Sequence, residues 1–167
     1  MTGRKTPGNY SHQPRRDRMY EEHVTDPYRA RGKWKEPTTC PECGAIFIQG
    51  RWQWGAAQAG AEQHLCPACQ RIRDRVPAGQ LRLSGDFFAA HRDEIINLVR
   101  NTEANARAQH PLERIVEIKD EADHTMVTFT DAHLTHGAGE ALHHAYQGEL
   151  DSRYTDEGDL LRVAWSR

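Results

Sequence analysis

Four cysteines in two closely spaced pairs are the residues of this chain best suited to chemistry. Cys40 and Cys43 enclose Pro-Glu, Cys66 and Cys69 enclose Pro-Ala, and 22 residues separate the pairs. Two residues between paired cysteines let a tight turn aim both sulfurs at one ion, and four converging thiolates form the tetrahedral site that zinc prefers. The sequence therefore predicts one structural zinc ion held by all four cysteines.

Other interpretations of the cysteine pairs fit the sequence less well. A thioredoxin-type redox site places one such pair at a helix start within a β-α-β unit, and neither pair has that setting. His64, two residues before Cys66, could replace one thiolate, but all four sulfurs are present. Four sulfurs leave no open position for water, so the zinc is expected to be a scaffold. Gly44, directly after the first pair, is predicted to take a positive φ that relieves the turn.

The ten histidines are the second candidate set for chemistry. Four of them share one predicted helix, and His133 and His136 are one turn apart, so they could bind a metal together; the other two are His143 and His144. No HExxH arrangement accompanies them, and the sequence contains no GxSxG, GxGxxG or P-loop motif. We therefore expect neither enzymatic activity nor a small-molecule substrate.

The charge of the chain is strongly asymmetric. Its net charge is −2, but residues 1–82 carry +6 and residues 83–167 carry −8. A basic front half suits a polyanion, whereas phosphates would repel the acidic back half. Residues 1–36 lack apolar periodicity and are predicted to be a flexible basic tail that follows a phosphate backbone. Its candidate RNA-binding residues are Arg15, Arg16, Arg18, Arg29, Arg31, Lys33 and Lys35.

Residues 37–78 contain all four cysteines and are predicted to form the zinc-binding module. An extended Arg51–Trp54 segment would place both of its tryptophans on one face, either over the small core or as a platform for bases. The stretch after the second pair is basic and partly helical. The candidate RNA-binding residues of this module are Arg51, Trp52, Trp54, Arg71, Arg73 and Arg75.

Residues 79–167 show regular periodicity and are predicted to form an α+β domain. A weak strand (80–83) precedes a helix (86–108), two strands (114–119 and 125–130), a helix capped by Asp131, and a final hairpin. This β-α-β-β-α-β-β order is typical of a ferredoxin-like sheet with an added edge strand. The predicted fold class is thus α+β, with an N-terminal zinc ribbon or knuckle module.

Several segments of the chain resemble a known family. The segments are CPECG, RWQWG, CPAC, QRIRDRVPAG, HPLERI, VTFTDAHLTHGAGEAL and LRVAWSR, across residues 37–167. They resemble short bacterial relatives of the archaeal and eukaryotic zinc-binding adaptor for large ribosomal subunit export, which was named for nonsense-mediated decay. The resemblance implies that Cys40, Cys43, Cys66 and Cys69 are zinc ligands and that the zinc module contacts the ribosome. The larger adaptors have more cysteine pairs and further domains.

These observations lead to one leading functional hypothesis. We expect a ribosome-associated zinc-binding factor that contacts ribosomal RNA, with the large subunit as its partner, in ribosome stability, hibernation or subunit maturation. The alternatives are a DNA-binding or transcription-associated zinc ribbon and a protein-interaction adaptor that uses the acidic domain. With no apolar run near the roughly 20 residues that cross a bilayer, we expect a cytoplasmic protein without a membrane partner.

Overall fold

A computed structural model describes residues 26–28 and 34–167 of the chain. In the described part, the region that contains the cysteines forms four short strands and one helix, which are β1 (Thr38–Thr39), β2 (Ile46–Ile48), β3 (Arg51–Gln53), β4 (Glu62–Gln63) and α1 (Pro67–Asp74). The strands make one sheet in the order β3-β2-β1-β4. Within this sheet β1 and β4 run parallel, and the other neighbouring strands run antiparallel. The four cysteines lie in the connection between β1 and β2 and at the start of α1.

A tight turn joins β2 to β3 and is fixed from outside the hairpin. Gln49 and Gly50 form the turn with φ values of 53° and 76°, the left-handed conformations that a two-residue type I′ hairpin requires. The Glu36 carboxylate accepts hydrogen bonds from both of their backbone N–H groups, at 2.9 and 3.0 Å. The two bonds to Glu36 therefore fix the conformation of the turn and the direction in which each face of the hairpin points.

The remaining elements follow the order predicted for residues 79–167. They are β5 (Gly79–Ser84), α2 (Asp86–Ala90), α3 (Arg92–Gln109), β6 (Ile115–Asp120), β7 (Thr125–Phe129), α4 (Ala132–Tyr146), β8 (Glu149–Tyr154) and β9 (Leu161–Ser166). The predicted first helix is divided in two, because His91 leaves the helical conformation with φ −124° and ψ 24°. Asp131 caps α4 as predicted, and its side chain accepts a hydrogen bond from the Leu134 N–H.

The strand order does not confirm the ferredoxin-like prediction. The sheet runs β6-β7-β5-β9-β8, and β9 lies between β5 and β8, parallel to β5. The last strand is thus inserted in the sheet and β8 forms the edge; the sequence predicted an added edge strand but not which strand it would be. Burial explains the placement: β9 buries Leu161, Val163 and Trp165, while β8 is exposed along most of its length. The more apolar strand of the hairpin takes the interior position.

The helices α3 and α4 pack on one face of this sheet around a continuous apolar core. The largest fully buried side chains include Trp165, Phe129, Leu81 and Leu83, all from strands. The backbone of β5 approaches α4 closely, since a Cβ on Gly79 would lie 1.8 Å from Thr135 Oγ1. A second, smaller cluster surrounds the cysteines. None of the helices in residues 26–28 and 34–167 is long and apolar enough to span a membrane.

Candidate metal centre

The first cysteine pair lies in a tight turn between β1 and β2. The Cys40 N–H donates to the Ala45 carbonyl at 2.8 Å, and the Gly44 N–H donates to the Cys40 carbonyl at 2.9 Å. Gly44 has a φ of 76°, which confirms the positive value predicted for it. Glycine adopts this conformation without a steric penalty, so the turn brings the sulfurs of Cys40 and Cys43 to the same side.

The second pair lies at the start of α1. Cys66 is the N-cap with φ −67° and ψ 156°, and Pro67 occupies the first helical turn, where its missing N–H has no cost. The Cys66 Sγ accepts a hydrogen bond from the Cys69 N–H at 3.4 Å. The start of the helix therefore aims both sulfurs at the turn that holds the first pair.

The four sulfurs converge with the spacing of a metal site. All four lie within 4.8 Å of one another. Cys40 Sγ is 3.6 Å from Cys69 Sγ, and Cys43 Sγ is 3.7 Å from Cys66 Sγ. A tetrahedral ion with bonds of about 2.3 Å to sulfur requires sulfurs about 3.8 Å apart, so the cluster fits zinc. These cysteines are positioned to hold a metal ion, as predicted.

Burial makes the ionised form of these thiols costly. It raises the pKa of Cys69 to about 11, although the nearby Arg114 guanidinium opposes this effect. Burial also raises the pKa of Cys66. At Cys40 burial raises the pKa too, but backbone hydrogen bonds outweigh it and bring the pKa down to about 7. Because a metal binds thiolates, a bound cation compensates for the cost of ionising the buried sulfurs.

Arg114 supplies a positive charge to this centre from the loop between α3 and β6. Its Nη2 donates to Cys69 Sγ at 2.9 Å, and the residue is only 6% exposed. The backbone of Arg114 is fixed by Thr130, whose Oγ1 accepts from the Arg114 N–H at 2.9 Å. Four thiolates around a divalent cation carry a net charge of −2 by simple addition, and one buried guanidinium offsets part of it. The spacing of the cysteines gives no sign of Arg114, which was not among the residues predicted for the site.

Two further contacts join the cysteine region to the end of α3 and the loop after it. Leu112 packs against the cluster that contains the cysteines. The Trp54 Nε1 donates to the Arg107 carbonyl at 2.6 Å. Together with Arg114, these contacts join the cysteine region to residues more than forty positions away in the chain.

The predicted aromatic residues have different environments. Trp52 is 9% exposed and packs with Phe47 and Trp34 over the cysteines, with ring centroids 5.6 and 5.8 Å away. This is the core-covering alternative raised from the sequence, and it leaves little of the Trp52 ring open for a base. Trp54 is 37% exposed. The ring of His64 lies against Trp34, outside the four-sulfur cluster.

The predicted basic residues that the structure describes divide into those that form an ion pair and those that do not. Arg71 is buried beneath the segment 26–28, Arg73 pairs with Glu42 and Lys35 pairs with Glu62. Arg51 and Arg75 are exposed and form no ion pair within the described residues. The other predicted contacts lie outside the described residues, namely Arg15, Arg16, Arg18, Arg29, Arg31 and Lys33.

The histidines of α4 do not form a second metal cluster in the part of the chain that the structure describes. His133 and His136 are exposed, and His136 Nε2 lies 3.7 Å from a Glu140 carboxylate oxygen. The four cysteines are the one group of three or more potential ligands found among residues 26–28 and 34–167.

Comparisons with protein-family models, curated proteins and solved structures found no match to this chain. The resemblance to the ribosomal adaptor family therefore remains a prediction from the sequence.

Proposed function

We propose that this chain is a non-catalytic, zinc-dependent RNA-binding factor that associates with the ribosome. In this proposal the four cysteines hold zinc, and the region around it, together with the basic N-terminal tail, contacts ribosomal RNA of the large subunit. The factor acts in ribosome stability, hibernation or subunit maturation. The acidic C-terminal half faces away from the phosphates.

The four-sulfur centre supports a scaffold role. Three of the cysteines are at most 3% exposed, and a tetrahedral ion bound by four thiolates has no free position for a substrate. The metal then holds the β2–β3 hairpin and α1 in place. Surface groups of these elements are left to bind a partner.

The observation that carries the proposal is the attachment of residues 26–28 beside this centre. Asp26 accepts from Arg71 Nη2 at 2.6 Å, and Tyr28 Oη donates to the Asp74 carboxylate at 2.7 Å. The Arg71 guanidinium also lies 4.6 Å from the centroid of the Tyr28 ring, a cation–π contact. Both Arg71 and Asp74 belong to α1, which also carries Cys69.

The contacts of Asp26 and Tyr28, here called the anchor, connect the basic tail to the basic helix α1. Residues 1–36 contain nine Lys and Arg against five Asp and Glu, and Arg29 directly follows the anchor in the chain. The contacts of residues 26–28 with α1 attach the chain beside the metal centre at a point within this basic stretch of the sequence. A continuous polyanion such as RNA can bind both parts at once.

Neutralising the tail gives the test of this proposal. We expect the triple change Arg15→Gln, Arg16→Gln and Arg18→Gln to weaken binding to ribosomal RNA and to flatten its salt dependence. Each phosphate that an arginine no longer neutralises reduces the slope of log affinity against log salt by about 0.7 to 0.9, so three such phosphates reduce it by about 2 to 3. The measurement is a filter-binding titration over a series of salt concentrations.

A matched control removes the same charge from the other half of the chain. The exposed residues Arg100, Arg153 and Arg162 are replaced together by Gln, and we expect the salt slope to stay unchanged. An equal fall in slope for both triple variants would show that total charge, and not the tail, determines binding. Tighter binding to duplex DNA than to RNA would favour the DNA-binding alternative.

A further inference from the structure

A cleft opens on the face of the β2–β3 hairpin that points away from the cysteines. It has a volume of about 300 Å³ and lies between the hairpin and the segment that follows β3. Its walls combine apolar side chains with three glutamines, and the lining residues include Ile46, Ile48, Gln49, Gln53, Trp54 and Gln58.

Strand register separates this face from the metal. Phe47 pairs with Trp52, and both pack on the cysteine side. Ile46 pairs with Gln53, and Ile48 pairs with Arg51, so these four side chains point to the opposite face. Arg51 therefore lies on the same face as Ile48, which lines the cleft.

Trp54 forms a fixed wall of the cleft. The bond from its Nε1 to the Arg107 carbonyl holds the edge of the indole, while 37% of the residue remains exposed. The chain then turns back over Ile46, since a Cβ on Gly55 would lie 3.5 Å from Ile46 Cδ1. An indole with a fixed edge and an open surface is suited to stacking on a flat ligand at low entropic cost.

The polar groups around the cleft suit a base joined to phosphates. The Gln53 amide nitrogen donates to the Ile48 carbonyl at 3.2 Å, which leaves its oxygen free to accept a hydrogen bond from a ligand. Arg51 lies on this face of the hairpin, opposite Ile48, and Arg107 supplies the carbonyl that Trp54 contacts. Both arginines are exposed, and neither forms an ion pair within the described residues. None of the described residues that line the cleft is acidic.

We propose that this cleft binds one unpaired nucleobase of an RNA strand, with Arg51 and Arg107 on the neighbouring phosphates. This inference rests on the proposed function and names the part of the RNA that is recognised. Pockets for small ligands begin at about 300 Å³, so the space suits a single base. Stacking on an aromatic ring accepts any base, which fits a cleft with few directional groups.

The test uses the zinc-loaded full chain and two labelled probes of equal length, about ten nucleotides each. One is single-stranded RNA, and the other is the same sugar-phosphate strand without bases. We expect Trp54→Ala to weaken binding to the RNA about 5- to 150-fold and to change binding to the abasic strand less than about twofold. Fluorescence anisotropy measures both affinities.

Two further variants distinguish the loss of a base site from a general effect of mutation: one changes the cleft at a second position, and the other is a control far from it in the sequence. Ile48→Glu places a carboxylate in the cleft without touching the cysteine side, and we expect it to lower RNA affinity more than abasic affinity. Tyr154→Ala removes an aromatic side chain that is 58% exposed on β8, and it should leave both affinities unchanged. Zinc content and the circular dichroism spectrum identify the variants that are folded.

The outcomes separate this site from the general function. If folded Trp54→Ala and Ile48→Glu bind RNA as the wild type does, the base site is wrong while RNA binding stands. An equal loss on both probes also overturns the base site, because it assigns the cleft to backbone contacts. If the wild-type chain binds neither probe nor ribosomal RNA, the proposed function fails and this inference fails with it.

Discussion

If the four cysteines hold zinc as proposed, its removal is expected to unfold the cysteine region and to leave the five-stranded sheet in place. The cluster around the cysteines contains few aliphatic residues, whereas the sheet and its helices have a separate apolar core. Binding of structural zinc contributes about 10 to 16 kcal/mol of apparent free energy in comparable sites. This is as large as the whole free energy of unfolding of a typical domain, which is about 5 to 15 kcal/mol. Hydrogen exchange after chelation measures the effect along the chain.

We expect protection to be lost in β2, β3 and α1 and to be kept in β5, β7 and β9. Cys43→Ser should give the same pattern without a chelator, and added zinc should restore the chelated wild type. A chain that keeps its protection in β2, β3 and α1 after the metal is removed would contradict this account of the centre.

Replacement of Arg114 is the second change with a large expected effect. Arg114→Met keeps a long side chain but removes the buried donor to Cys69 Sγ and its positive charge. Loss of such an outer partner lowers metal affinity about 10- to 100-fold in characterised sites. We expect a decrease of this size, measured by competition with a chromogenic zinc chelator.

Two variants isolate the role of Arg114. Arg114→Lys keeps the charge without the planar fork, so its zinc affinity should lie between those of the wild type and Arg114→Met. Arg73→Met removes an arginine of α1 that pairs with Glu42 on the surface, and it should leave zinc affinity unchanged. Equal zinc affinities for Arg114→Met and the wild type would show that the guanidinium does not support the centre.

The metal ligands could be predicted from the sequence because each pair is a local feature. Cys40 and Cys43 lie in one turn, and Cys66 and Cys69 lie in one helical start, so their spacing alone carries the geometry. Arg114 could not be found in this way. It is 45 residues from Cys69, and only the packing of the α3–β6 loop brings it to the sulfur.

The tryptophans and the last hairpin show a similar limit. An extended segment predicts that Trp52 and Trp54 share a face, yet β3 ends at Gln53, and the two rings have different environments. The hairpin of β8 and β9 was predicted correctly, since Leu161, Val163 and Trp165 alternate along its second strand and a polar turn precedes them. Its place in the sheet depends on competition between strands for the interior, which periodicity does not report.

Sedimentation of ribosomes through a sucrose gradient tests the proposed function most directly. We predict that the wild-type chain in a cell lysate at moderate salt migrates with large ribosomal subunits, and that Cys43→Ser stays at the top of the gradient. If the wild-type chain also stays at the top, in lysates from both growing and stressed cells, the ribosome proposal is wrong.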